Sequence, residues 1–265
     1  MTSPTPGEIR ILRDPTVYLL SKQSMVAGEL DRFLADHGVT WASDSSIASE
    51  VVTETAGRVC YMSFAKPRPG GNQAYLSHIK EVGHGSVFEH AVWTFLITGV
   101  SRSLTHELVR HRAGWAYSQL SQRYVDESVA EYVEPDIIAA DPELHAIWIE
   151  AIASVHGAYV KLAESLNAKL PADADRTTRR KTARQAARSV LPNATETKIT
   201  VTANARALRH FLEQRGSAFA EPEIRKLATV LLGVLVADSP NLFGDYVKVP
   251  LPDGTCEIRT TFPKV

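Results

Sequence analysis

Cysteine is scarce in this 265-residue chain, which carries only Cys60 and Cys256. Two cysteines with no CxxC pair and no zinc spacing exclude a disulfide framework and a structural zinc site. Long apolar runs are missing too. No stretch approaches about 18 uninterrupted apolar residues, so no transmembrane helix is expected. The opening MTSPTPGEIR lacks a basic segment leading into an apolar one, so no signal peptide is expected and the cytoplasm is the expected compartment. Excess charge is absent as well. A formal net charge of -1 gives the whole chain no general attraction for nucleic acid or membranes. There is no internal repeat and no low-complexity block.

What remains is an ordinary globular composition, 44% hydrophobic and 22% charged. Its length supports a sizeable core, and a single domain over residues 1–265 is expected. Glu8 to Leu12 alternates weakly, as a strand does. Ile47, Val51, Val52 and Val59 recur at helical spacing within 46–64. Lys66 to Gly71 (KPRPGG) reads as a loop. Asn72 to Val82 reads as a helix, with Gly83 placed to cap its C-terminus. Val92 to Val100 (VWTFLITGV) is the strongest strand signal. Helices are predicted over 101–109, 144–170 up to Pro171, 177–191 up to Pro192, 205–214 and 223–236. A strand is predicted over 198–203. Asp253-Gly254 between two extended runs marks a hairpin. Helices and strands mix without βαβ regularity, so the fold class is α+β.

Chemistry-bearing residues concentrate in Ser101 to Tyr124, SRSLTHELVRHRAGWAYSQLSQRY. On one helix, Arg102, His106 and Arg110 would share a face at i, i+4 and i+8. Arg110, His111 and Arg112 then stand in a row, followed by Ser118, Gln119, Ser121, Gln122 and Arg123. Such a run can hold phosphate, ribose and a pyrimidine edge, because the arginine fork matches phosphate oxygens. A solvated basic face followed by a polar loop reads the same residues equally well. Arg180, Arg184 and Arg188 repeat the spacing on a helix with an apolar side. There the solvated face is the plainer reading for the first two, while Arg188 stands before Leu191-Pro192. Asn204, Leu208, Phe211 and Arg215 lie near one face of a later helix, with Arg206 and His210 on a neighbouring one. HGSVFEH places two histidines around a glutamate, but at no standard metal spacing. Cys60 lies in an apolar stretch beside no obvious base and reads as core packing.

Together these segments resemble the flavin-dependent thymidylate synthases. That family's signature is RHR, seven residues, then Ser, and here RHR is followed by SQLSQRY. HGSVFEH, THELVRHR, ARSVLPNATET, NARALRHF and an Arg-x-Ser follow in the family's order, and GRVCYMSFAKP resembles its early segment. The resemblance spans about Ala56 to Arg225. It implies the family's fold, with an antiparallel-rich central sheet, and a homotetramer whose sites draw on several subunits. It implies FAD as cofactor, with NADPH and methylenetetrahydrofolate as co-substrates, and methylation of a uridine nucleotide at C5.

By position, the resemblance assigns Ser86, Arg110, His111, Arg112, Gln119, Asn204, Arg206 and His210 to FAD, with His84 near the flavin. It assigns Glu107, Arg110, Leu120, Ser121, Gln122, Arg123, Arg188 and Arg215 to the nucleotide. Arg215 would stabilise the ionised N3 of uracil, a role suited to a charge that does not titrate. Without a cysteine nucleophile the pyrimidine must be activated electrostatically rather than covalently.

The chain departs from the signature in two places. Eight residues, AGWAYSQL, separate Arg112 from Ser121 instead of seven, which places an insertion near Ala113 to Trp115. Phe219 stands where the family commonly has histidine. Both departures bear on substrate choice, and acceptance of UMP as well as dUMP is expected, as in relatives from nucleoside-antibiotic pathways. A dUMP-specific thymidylate synthase is the alternative. A non-catalytic flavoprotein, or a nucleic-acid binder using the helix around Arg180, represents a different class.

Overall fold

The computed structural model describes residues 9–65, 69–171, 173 and 175–265. Thus Glu8 of the first expected strand and Lys66, Pro67 and Arg68 of the KPRPGG loop lie outside the described residues. The elements run β1 (Arg10–Leu12), β2 (Thr16–Lys22), α1 (Glu29–Asp36), α2 (Ala48–Val59), α3 (Gly71–Glu81), β3 (Val92–Ser101) and α4 (Arg102–Leu108). Then come β4 (Trp115–Gln119), β5 (Glu131–Val133), α5 (Asp136–Ala139), α6 (Pro142–Lys169), α7 (Arg176–Ala187) and β6 (Glu196–Asn204). The chain closes with α8 (Ala205–Arg215), α9 (Pro222–Asp238), α10 (Pro240–Phe243), β7 (Tyr246–Pro250) and β8 (Cys256–Thr260). The mixture is α+β.

Strand order in the largest sheet is β2-β3-β6-β4. Ala205 N donates to Ala91 O at one end and Arg102 N to Thr195 O at the other, so β3 and β6 run antiparallel. Leu120 N to Lys198 O and Asn204 N to Gly114 O give β4 the same relation to β6. β1 pairs with β5 in parallel, and β7 with β8 as the expected antiparallel hairpin, whose turn carries Gly254 at φ 81°.

Chain contacts divide the structure into two compact units. The first takes the described residues through Pro15, Ile97–Leu108 and Ser118–Ile199. In it, α6 starts at an Asp141 cap whose carboxylate accepts from the amides of Glu143 and Leu144, with Pro142 at the first helical position. Ile152 of that helix is buried with Ala130 and Tyr132.

The second unit takes Thr16–Leu96, Val109–Tyr117 and Thr200–Val265. Trp93 and Phe95 on β3, Leu208 and Phe211 on α8 and Leu231 on α9 are all buried there. Trp93 meets Phe243 edge to face and donates its indole N–H to Asp238 at 2.8 Å. Gly83 takes φ 71° just past α3, as its capping position requires.

Three expectations are corrected. The helix of the densest segment ends at Leu108, so Arg110 does not share its face with Arg102 and His106. Trp115 to Gln119 is a strand, not a polar loop. Cys60 is exposed, because α2 stops at Val59 and the chain turns outward through Met62 at φ 45°. β2 and α1 were not expected at all.

Candidate active site

Three consecutive polar residues, Arg110, His111 and Arg112, leave α4 and enter the second unit, where they border a cavity of about 730 Å³. The stretch from Arg110 to Trp115 forms one wall. Helix α8 forms another through Asn204, Arg206, His210 and Arg215. Glu89, Glu213, Lys264 and Val265 line the cavity as well. Seven of the residues singled out from sequence therefore meet here, from segments almost a hundred positions apart.

Local structure explains the wall. Asn204 ends β6 and caps α8, its side-chain oxygen accepting from Ala207 N at 2.9 Å. Asn204 N in turn donates to Gly114 O at 3.2 Å. Gly114 holds φ 73°, and a Cβ there would lie 2.6 Å from Asn204 Nδ2. Only glycine fits this left-handed, close approach. The residues around the one-residue insertion, Ala113 to Trp115, thus form part of the cavity wall.

The site is aromatic as well as cationic. Trp115 stacks on Tyr117 at 5.8 Å with planes 4° apart, and meets Phe211 edge to face. His111 meets Phe211 at 5.3 Å and His210 at 5.8 Å between ring centroids. Arg215 Nε donates to His111 Nε2 at 3.1 Å, and Tyr117 Oη donates to His111 O at 2.7 Å. Burial pushes the Tyr117 hydroxyl up, so it stays a donor. Arg206 pairs with Glu89 at 2.6 Å.

His84 and Ser86 are exposed and outside this lining; His84 stacks on Tyr61 at 6.4 Å. Sequence reasoning missed the wall residues Lys264 and Val265, and it gave no binding role to Glu89 of HGSVFEH or to Gly114 and Trp115 at the insertion. Gly114 had a visible signal, a lone glycine inside the insertion. Lys264 had none. Phe219, beyond α8, is 100% exposed. Among the described residues no cluster of His, Cys, Asp or Glu could hold a metal ion.

The remaining expected residues, Glu107, Gln119, Leu120, Ser121, Gln122, Arg123 and Arg188, belong to the first unit. Gln119, expected at the flavin, donates to Thr105 Oγ1 at 3.1 Å and Thr197 Oγ1 at 3.2 Å. Leu120 is fixed through both backbone groups: its N–H donates to Lys198 O at 2.8 Å and its carbonyl accepts from Arg102 at 2.9 Å. Gln122 is only 6% exposed, and its amide nitrogen has no partner. Arg188 follows α7 in a 3-10 turn.

Glu127 in the same unit is 5% exposed, with Oε1 unpartnered. Burial pushes its carboxyl up to about 7, against the pull of Arg102. The folded value is above the unfolded one, so the favourable contribution exists at low pH. It is lost as pH rises from the unfolded value through about 7. Glu127→Gln cannot ionise. Between pH 5 and pH 8 its stability in urea should gain about 2 kcal/mol on the wild type. A constant difference would refute this reading of Glu127.

The comparisons with known proteins agree with this architecture. Residues 44–241 match the family model described as thymidylate synthase complementing protein. A flavin-dependent thymidylate synthase of Mycolicibacterium gilvum is 51% identical over 231 residues, 86% of this chain and 91% of the relative. One from Mycobacterium leprae is 49% identical over 235 residues, with the same coverage. The solved structure of the UMP/dUMP methylase PolB from Streptomyces cacaoi, bound with 5-Br UMP, superposes with TM-score 0.63 at 22% identity. It covers 89% of this chain and 95% of that one, and shares the fold.

These matches define the class, an enzyme of methyl transfer to nucleotides. Within that class the chain belongs to the thymidylate synthase complementing protein family, the flavin-dependent thymidylate synthases.

Proposed function

We propose that this enzyme methylates C5 of dUMP, and of UMP as well, with FAD bound in the second-unit cavity. NADPH and methylenetetrahydrofolate are its co-substrates. The observation that carries the reading is Arg215, fixed through Nε to His111 in a cavity walled by arginines and aromatic rings. Relatives of about half-identical sequence named as flavin-dependent thymidylate synthases support the dUMP reaction.

The residues present fit a flavin dinucleotide. A cavity of about 730 Å³ lies within the usual range for such ligands. Arg110, Arg112, Arg206 and His210 offer donors for a diphosphate, and Trp115 offers a planar face. Gly114 lets backbone stand where a Cβ would collide with Asn204. When bound, the flavin supplies the hydride that completes the methyl group. The protein's part is to hold, orient and polarise.

Arg215 is assigned the uracil ring. A permanent positive charge beside N3 favours its ionised form and raises electron density at C5, the atom that gains carbon. Neither cysteine lines the cavity, which agrees with activation by charge rather than by thiolate. Glu107, Arg110, Leu120, Ser121, Gln122, Arg123 and Arg188 are assigned to the nucleotide with Arg215. His84, Ser86 and Gln119 are assigned to flavin in the homotetramer the family resemblance implies, and the cytoplasm is the proposed compartment.

Acceptance of UMP rests on the one-residue insertion near Ala113 to Trp115, residues that line the cavity. The same-fold protein PolB is a UMP/dUMP methylase. Product formation from UMP and dUMP, side by side under anaerobic conditions with FAD, NADPH and methylenetetrahydrofolate, tests the reading. Comparable rates are expected. Turnover of dUMP alone would confine the enzyme to thymidylate synthesis, and turnover of neither would sink the methylase.

A further inference from the structure

The segment after β8 is not needed to complete the hairpin, yet it returns to the cavity. Lys264 and Val265 line it, although both lie outside the residues 44–241 matched to the family model. We propose that Lys264 is an additional binding residue for the diphosphate of the dinucleotide cofactor, on a wall formed by Phe262 to Val265. This rests on the reading that FAD occupies the cavity.

Several independent observations place the segment. Lys264 adopts φ 64°, one of two non-glycine residues among those described with positive φ. A lysine does not take that conformation without compensation, and such strain concentrates where a side chain must be aimed. The compensation is visible. Lys264 N donates to Glu213 on α8 at 3.0 Å, and Arg209 donates to Phe262 O at 3.3 Å. Val265 is buried. It packs on Gly85, where a Cβ would stand 2.6 Å from the Val265 carbonyl carbon and 2.9 Å from Arg206 Nε.

The wall is therefore held from both sides, and the residue it sets at the cavity rim is an exposed lysine. The lining already holds Arg110, Arg112, Arg206 and Arg215 against two side-chain carboxylates, Glu89 and Glu213. Glu89 is engaged by Arg206, and Glu213 accepts from the Lys264 backbone. A cavity with this surplus of positive charge selects a polyanion, and a diphosphate is the polyanionic part of FAD. An ammonium on a flexible stem suits that partner as a point charge, while the arginines supply the directional forks.

The test is direct FAD titration of the full chain, followed by flavin absorbance and fluorescence, which needs no turnover. Lys264→Asn removes the charge but keeps a residue that tolerates left-handed backbone. Lys264→Arg keeps the charge. Circular dichroism and thermal melting verify that each variant is folded. Lys264→Asn should weaken FAD about tenfold at low salt, and the gap should close at high salt. Lys264→Arg should stay within about twofold of the wild type. Equal affinity of Lys264→Asn and wild type would overturn the proposal and leave the flavin reading standing. So would equal losses in both variants, or a gap indifferent to salt. A wild-type chain that does not bind FAD would overturn both.

Discussion

Arg215→Ala should lower kcat/KM for dUMP about a thousandfold, or roughly 4 kcal/mol of transition-state stabilisation. The same variant should bind FAD within a fewfold of the wild type. The size follows from how the guanidinium is held. Arg215 closes the last turn of α8, half-buried, and its Nε–H is committed to His111 Nε2 at 3.1 Å. Accepting there places the imidazole proton on Nδ1. The ring itself is fixed by Phe211 and His210, and its backbone by the Tyr117 hydroxyl. A charge positioned in advance needs no reorganisation when the pyrimidine ring becomes anionic, which is why such groups carry large terms. Arg215→Lys keeps the charge but loses the planar fork, and should recover about tenfold of the loss. His111→Gln should reduce kcat more than it raises KM, since it disturbs aim rather than contact. Steady-state kinetics with both nucleotides, alongside flavin titration, would measure all of this. If Arg215→Ala kept more than a tenth of wild-type kcat/KM, the assignment of Arg215 to the pyrimidine would be wrong.

Much of this arrangement was legible in the sequence, for identifiable reasons. β3, α6, α8 and α9 announce themselves because one face or stripe of each is continuously apolar. The hairpin does so because Asp253-Gly254 can only turn. Helical spacing set Asn204 and Arg215 near one helix face and Arg206 and His210 on a neighbouring one, the family resemblance assigned them to flavin and nucleotide, and the structure gathers them in one cavity. β4 was not legible. Its residues alternate between half-buried and exposed, and it ends the strand order, so it carries no apolar stripe to separate it from a polar loop. β2 exposes Tyr18 and Leu20 while Val17 and Leu19 are half-buried, so apolar residues stand on both faces and no polar alternation marks the strand. The helical face drawn through Arg102, His106 and Arg110 failed because helix periodicity does not say where a helix stops. Lys264 was invisible for a different reason. Nothing in FPKV distinguishes a trailing segment from a cavity wall until Glu213 and Arg209 are seen to anchor it.

Asp245→Ala should cost about 3–5 kcal/mol of stability in urea at neutral pH and fixed protein concentration, the largest loss expected of any single substitution outside the cavity. Asp245 follows α10, and its carboxylate is nearly enclosed. It accepts from Lys80 Nζ and Arg209 Nη1 on one oxygen, each at 2.8 Å. The other accepts from Arg209 Nη2 at 2.8 Å and Thr260 Oγ1 at 2.5 Å. The Arg209 side chain is 0% exposed and that of Asp245 7%. Removing the acid leaves two buried cations without the carboxylate that pairs with both, which costs far more than a surface pair is worth. Burial alone would push the Asp245 carboxyl up. The Arg209 hydrogen bonds and charge, with Lys80 beside them, hold it well below the ordinary carboxylate range. The sign follows. With the folded value depressed, the contribution is complete above the unfolded value and disappears as pH falls through the folded one. The wild type and Asp245→Ala should therefore converge only in strong acid. Thr260→Val, which removes one neutral donor, should cost about 1 kcal/mol. Asp245→Ala within about 1 kcal/mol of the wild type would refute the account. Arg209 also carries the Phe262 carbonyl, so this carboxylate indirectly holds the cavity wall that presents Lys264. Below its unfolding midpoint, Asp245→Ala should bind FAD more weakly than its remaining folded fraction accounts for.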